Sequence, residues 1–203
     1  MKPILDGILC TPVYINTIER NYTKEEVQFF ADQSNKCVGN QGNRYTENTY
    51  ILNRPEMSNI KEFVEKSIDD YVDKIVKPID DIKVYLTQSW INYTEKNGFH
   101  HKHSHPNSYL SGTLYLSADE ATDTVTFRQE RQEAIAVKSR LTKLNSPGWS
   151  YKVKSGIIMI FPSTTLHEVQ KAKGDHTRIS LSFNTFLKGS LGNLQNSLVK
   201  LDI

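Results

Sequence analysis

The sequence predicts a mainly β protein with helices at its N-terminal end, folded as a two-layered β barrel of the jelly-roll type. Two observations carry this. One long amphipathic stripe lies before residue 80. After residue 82 come seven short runs rich in Val, Ile, Thr, Tyr, Phe and Trp, broken by Gly, Pro, Asn, Asp or charged residues. That spacing of short strands and turn signals is the pattern of a sandwich or barrel.

From the N-terminus, residues 9–18 read as extended chain rich in β-branched side chains. Thr23-Lys24-Glu25-Glu26 is a capping box and predicts a helix start. Residues 35–43, rich in Asn, Gln and Gly, read as a loop. In residues 58–76, Ile60, Phe63, Val64, Ile68, Tyr71, Val72 and Ile75 recur at spacings of three and four. This predicts a helix with one apolar face, ended by Pro78. The strand-like runs are 84–94, 109–116, 124–129, 134–137, 149–153, 157–161 and 179–186. With 203 residues the chain is expected to form one domain: a support region over 1–80, a β core over 81–188 and a tail over 189–203. The tail is expected to pack on the core or on a second copy, so a homodimer is one expected partner state.

Composition narrows the function classes. The net charge of +2 gives no reason to expect a nucleic-acid surface. No apolar run approaches the roughly 18 residues of a membrane helix. Cys10 and Cys37 supply neither a zinc spacing nor a disulfide framework. The opening Met1-Lys2-Pro3-Ile4-Leu5-Asp6 lacks an apolar signal core, so a cytoplasmic location is expected.

Four of the six histidines fall between His100 and His105. In an extended segment His103 and His105 point to one side and Ser104 to the other. His101 and His103 form a competing pair at the same spacing. A solvent-exposed histidine tract binding stray metal is the bland alternative. The apolar run 157–161 leads through Pro162-Ser163-Thr164-Thr165 to His167, whose face it shares with Val169 while Leu166 and Glu168 face away. A lone histidine there is usually a core residue; beside an HxH pair it becomes a metal-ligand candidate. Farther on, Arg178, Ser180, Ser182 and Asn184 share one strand face, and Ile179, Leu181 and Phe183 the other. A polar face headed by arginine suits either open solvent or a wet cavity, where Arg178 would pair with a small-molecule carboxylate. Tyr109, Ser111, Thr113 and Tyr115 make a second hydroxyl-bearing face. Thr113 and Tyr115 are ligand-binding candidates, with Asn92 a weaker one.

In order, His103-Ser104-His105-Pro106, Ser111-Gly112-Thr113-Leu114-Tyr115, Phe161-Pro162-Ser163-Thr164-Thr165-Leu166-His167-Glu168-Val169 and Arg178-Ile179-Ser180-Leu181-Ser182-Phe183-Asn184 resemble the Fe(II)/2-oxoglutarate-dependent oxygenases. The closest likeness is to small bacterial and phage proteins with an HxHP…FPSxxxH…RxS pattern. The likeness spans roughly residues 83–188. It implies a double-stranded β-helix, a cupin-like jelly roll. It also implies Fe(II) as cofactor, 2-oxoglutarate and O2 as small-molecule cosubstrates, and hydroxylase-type oxidation of a further substrate. Decarboxylation to succinate and CO2 would accompany that oxidation. By position the resemblance makes His103, His105 and His167 the metal ligands. It pairs Arg178 with the far carboxylate of 2-oxoglutarate, helped by Ser180 and Tyr115. No catalytic residue beyond the metal site is implied. His105 stands where the family usually carries an acid. Two other readings follow from that departure: a three-histidine cupin-type dioxygenase without 2-oxoglutarate, and a barrel kept only for ligand binding or assembly.

Overall fold

The computed structural model describes residues 10–129, 135, 137–192 and 201–203. Two antiparallel sheets carry the fold. The strands are β1 (Tyr14–Thr17), β2 (Cys37–Asn40), β3 (Asn43–Thr46), β4 (Ile82–Thr94), β5 (His100–His103), β6 (Leu110–Ser117), β7 (Thr124–Arg128), β8 (Gly148–Lys152), β9 (Ile157–Pro162), β10 (Leu166–Val169), β11 (Arg178–Leu191) and β12 (Leu201–Asp202). The major sheet runs β1-β9-β6-β11-β4-β3-β2, with β12 beside the far end of β11; the minor sheet runs β5-β10-β7-β8. This is the double-stranded β-helix that the strand pattern and the resemblance implied.

The helices cover the back of the major sheet. Helix α1 (Lys24–Gln33) opens with the expected capping box: the Glu26 amide donates to Thr23 Oγ1 (3.2 Å) and the Thr23 amide donates to a Glu26 carboxylate oxygen (2.8 Å). Arg20 grips the same carboxylate with both terminal nitrogens, at 2.8 and 2.6 Å. Helix α2 (Ser58–Tyr71) buries Ile60, Val64, Ile68 and Tyr71. The expected helix to residue 76 is shorter in its regular form. Residues Val72–Val76 widen into a π-type turn, and Lys77 closes it in the left-handed region (φ 48°) ahead of Pro78. The apolar faces of α1 and α2 pack on Ile91, Tyr93, Leu110, Leu114, Leu116, Ile158, Ile160, Leu181 and Phe183.

These strand residues are the apolar alternates, so the even-numbered polar alternates of β11 must face the minor sheet. Gly112 belongs to the helix-facing set, opposite Phe183 on β11. A Cβ there would run into the Phe183 ring, so glycine is what admits that ring to the core. Between the sheets lies a second, smaller apolar cluster of Tyr115, Val125, Phe127, Val153, Met159 and Phe161. It closes one part of the space between the layers and leaves the rest to polar side chains.

Two expectations are corrected. The loop expected over 35–43 is a hairpin: β2 and β3 pair from Cys37↔Thr46 to Asn40↔Asn43. Gln41-Gly42 makes the turn, with Gly42 at φ 86° beneath Phe99. Tertiary pairing of β3 with β4 overrides the weak strand propensity of Asn and Gly. The tail expected from residue 189 begins inside a strand, because β11 continues to Leu191 and pairs with β12 through Ser190↔Asp202 and Leu191↔Leu201. The strand expected at 134–137 lies partly outside the described residues; Ile135 and Val137 are described, exposed and outside any strand. Among the described residues no helix is long and apolar enough to cross a membrane.

Candidate metal centre

The site is built where the two sheets part. Antiparallel pairing places His167 on β10 directly opposite His103 on β5. Their ring centroids are 4.3 Å apart. His105 lies just past the end of β5, its ring 5.1 Å from that of His103 and 5.0 Å from that of His167. One nitrogen from each of the three rings falls within 4.8 Å of the others. The sequence-predicted trio is therefore brought together. Glu168 faces away, where Arg128 Nε donates to its Oε1 at 2.8 Å.

Each of the three imidazoles has one nitrogen already engaged. His103 Nδ1 donates to the His101 carbonyl oxygen (2.7 Å) and His167 Nδ1 donates to the Thr165 carbonyl oxygen (3.0 Å). His105 Nδ1 donates to Asn184 Oδ1 (2.8 Å), with Ser111 Oγ 2.7 Å away. The carbonyl acceptors require a proton on Nδ1, so all three rings keep a lone pair on Nε2. That is the tautomer a metal-binding histidine needs. Burial is the main cause pushing the three imidazoles down, His105 to about 4 and His167 to about 3; positive charge on His103 acts in the same direction on both. They stand neutral at physiological pH and ready to donate.

The sequence reading missed the support of His105. Ser111, Ser163, Ser108 and Asn184 form one chain of contacts: Ser111 Oγ to Ser163 Oγ at 2.7 Å, Ser163 Oγ to Ser108 Oγ at 2.7 Å, and Ser111 Oγ to Asn184 Oδ1 at 2.8 Å. All but Ser108 are buried. The signal was present in the motif strings, but which serine meets which histidine depends on strand order. Truncating Asn184 to alanine should loosen His105 and weaken divalent-metal binding by ~10–100-fold. An anaerobic Co(II) titration reads this, and unchanged affinity would remove Asn184 from the support.

The wall beside the trio carries the other candidates. Ser180 pairs with Asn92 on β4 and Tyr115 on β6, and Ser182 with Trp90 and Thr113. Asn92 Nδ2 donates to Ser182 Oγ (3.0 Å), which lies 3.5 Å from Thr113 Oγ1. Tyr115 is held as the neutral phenol, its hydroxyl pushed up to about 12 chiefly by burial. Arg178 heads this wall and is 3% exposed. One terminal nitrogen donates to Thr94 Oγ1 (3.3 Å) and the other to the Thr124 carbonyl (3.4 Å), while Nε has no partner. Among the described residues no carboxylate pairs with it. A buried guanidinium without a counter-charge is costly unless an anion is supplied from outside. The surface alternative for Arg178 is thereby excluded.

Residues 88–184 match the family described as "Putative 2OG-Fe(II) oxygenase". Over these residues the β core is similar to the 2OG-Fe(II) oxygenase family. Its cofactor is Fe(II) and its cosubstrate 2-oxoglutarate. No curated protein matches the chain in sequence. In fold, the oxygenase resembles a prolyl hydroxylase from Trichoplax adhaerens in complex with a hypoxia-inducible-factor peptide. That likeness has TM-score 0.56 and 13% identity, covering 86% of this chain and 83% of the other. It also resembles a Pseudomonas putida prolyl-4-hydroxylase (TM-score 0.54, 12% identity, 86% and 92% covered). A third neighbour is HygX from Streptomyces hygroscopicus with nickel, 2-oxoglutarate and hygromycin B bound (TM-score 0.55, 12% identity, 86% and 82% covered). The residues present fit the family's metal and cosubstrate: three imidazoles stand together, each with an uncommitted Nε2, and a buried cation waits on the adjoining wall.

Proposed function

We propose that this oxygenase inserts oxygen into a C–H bond of a further substrate, as a hydroxylase, with His103, His105 and His167 holding Fe(II). Iron held there would supply the activation of O2, with one oxygen atom going to the substrate and the other to succinate as 2-oxoglutarate is oxidised and loses CO2. Arg178 binds the far carboxylate of 2-oxoglutarate through its planar fork, which suits a bidentate contact. Ser180 and the Tyr115 phenol donate to the same carboxylate, while Asn92 and Thr113, tied through Ser182, shape the wall beside it. The observation that carries this reading is Arg178: a buried cation without an anion, on the wall next to three inward-facing imidazoles. The hydroxylases and the 2-oxoglutarate-bound protein among the structural neighbours support it by analogy of fold. A cytoplasmic setting agrees with two free cysteines.

The alternative raised by the third imidazole, a cupin-type dioxygenase that does not use 2-oxoglutarate, is not favoured by the family match. One experiment separates them. Protein prepared without oxygen is given Fe(II) and 2-oxoglutarate, and the visible charge-transfer band of the chelate is recorded. Oxygen is then admitted and succinate measured. The proposal expects the band and succinate; folded, iron-loaded protein that yields neither would overturn it.

A further inference from the structure

Strand β5 carries a second group of imidazoles, and a local irregularity creates it. Against β10, His103 pairs with His167 and His100 pairs with Val169. Three steps along β5 thus match two along β10, which is a β-bulge. In a regular strand His100 and His103 would face opposite ways. The bulge turns His100 to the side of His103, where the two rings stack with centroids 4.2 Å apart and planes 24° from parallel. His101 lies 5.2 Å from each of them. One nitrogen from each of His100, His101 and His103 falls within 4.8 Å of the others. Among the described residues, no ring nitrogen of His100 or His101 makes a hydrogen bond, so neither sacrifices one by binding an ion.

We propose that His100, His101 and His103 form an outer site for a first-row divalent cation, exclusive of the inner site; this rests on reading His103, His105 and His167 as the metal centre. Exclusivity follows from His103. Its Nδ1 is committed to the His101 carbonyl, so a single nitrogen, Nε2, serves both groups. The outer site lies toward solvent: β5 is the edge strand of the minor sheet, His101 is exposed, His100 and His103 are half-buried and His167 is buried. An ion first held by His100, His101 and His103 reaches the inner centre by exchanging two imidazoles for His105 and His167, while His103 stays bound throughout. With imidazole as the sole ligand type, the site selects Co(II), Ni(II), Cu(II) or Zn(II) over Mg(II) and Ca(II).

The test is anaerobic titration with Co(II), whose visible bands report its ligand field. Wild type is expected to bind one ion per chain. His167→Ala, which removes only an inner ligand, is expected to keep one Co(II) with altered bands. Adding His101→Ala to it should weaken binding by a further ~10–100-fold. His105→Ala replaces His167→Ala as the inner-site variant if loss of the buried ring unfolds the chain. Two ions per wild-type chain would overturn exclusivity. An inner-site variant that binds nothing, or one that His101→Ala leaves unaffected, would overturn the outer site. Identical affinity and bands in wild type and His167→Ala would instead sink the inner reading. In that case His101→Ala in the wild-type chain decides the outer site, since loss of binding supports it and retention overturns it.

Discussion

Replacing Arg178 with methionine should abolish 2-oxoglutarate binding and at the same time raise the melting temperature of the ligand-free protein. The two effects share one cause. Arg178 is buried, its hydrogen bonds to Thr94 and Thr124 are long at 3.3 and 3.4 Å, and its Nε has none. The folded apoprotein therefore carries a desolvated charge that only a ligand can neutralise. Truncating one partner of a buried, hydrogen-bonded charge pair costs about 2–5 kcal/mol, a loss of roughly 30- to 4,000-fold in affinity. Without ligand the same charge is a burden. An apolar side chain of similar length removes it, and a gain of about 1 kcal/mol would move the midpoint up by roughly 2–4 °C in a chain of this size. Thermal melts with and without 2-oxoglutarate read both effects: wild type is stabilised by the ligand and the variant is not. Iron binding should persist, because Arg178 makes no hydrogen bond to any of the three imidazoles. A variant that melts lower and still responds to 2-oxoglutarate would show that Arg178 is a structural residue.

The second large effect concerns His105. His105→Ala should weaken Fe(II) binding by at least ~100-fold, more than the loss of a supporting residue. His105→Asp should recover at least ~10-fold of that, since a carboxylate is itself a metal ligand and cancels one unit of positive charge at the centre. The surroundings can accept the exchange. Asn184 turns its amide to offer Nδ2 in place of Oδ1, and the Ser111 hydroxyl, which donates to Asn184 Oδ1 in the structure, turns its proton to the carboxylate. Anaerobic metal titration compares the three proteins. If alanine and aspartate bind equally poorly, the Asn184–Ser111 support is specific to imidazole, and the position does not tolerate an acid.

The elements that were legible share a physical property: their signal is periodic and local. The α2 stripe from Ile60 to Tyr71 declares its buried face through spacings of three and four. The alternation of Arg178, Ser180, Ser182 and Asn184 with Ile179, Leu181 and Phe183 declares two faces of β11, and the structure assigns the apolar face to the helices. The β2–β3 hairpin was not legible, because Asn, Gln and Gly have little strand propensity and the pairing partner, β4, lies far along the chain. His100 was not legible either, since its orientation reverses at a bulge that only the register against β10 reveals.

By itself, then, the sequence determined which side chains share a face, that a polar face headed by arginine runs through the last long strand, and that three imidazoles come from segments able to meet. Period-two alternation is a property of a single strand and needs no partner. Only the tertiary structure decided that the polar face of β11 turns toward the histidines, that Arg178 is buried without an anion, and that Asn184 and Ser111 hold His105 by its Nδ1. Those facts depend on strand order, on register and on how two sheets close over each other. They join residues far apart in the chain, 79 positions between His105 and Asn184 and 84 between Thr94 and Arg178, and no local pattern encodes those contacts.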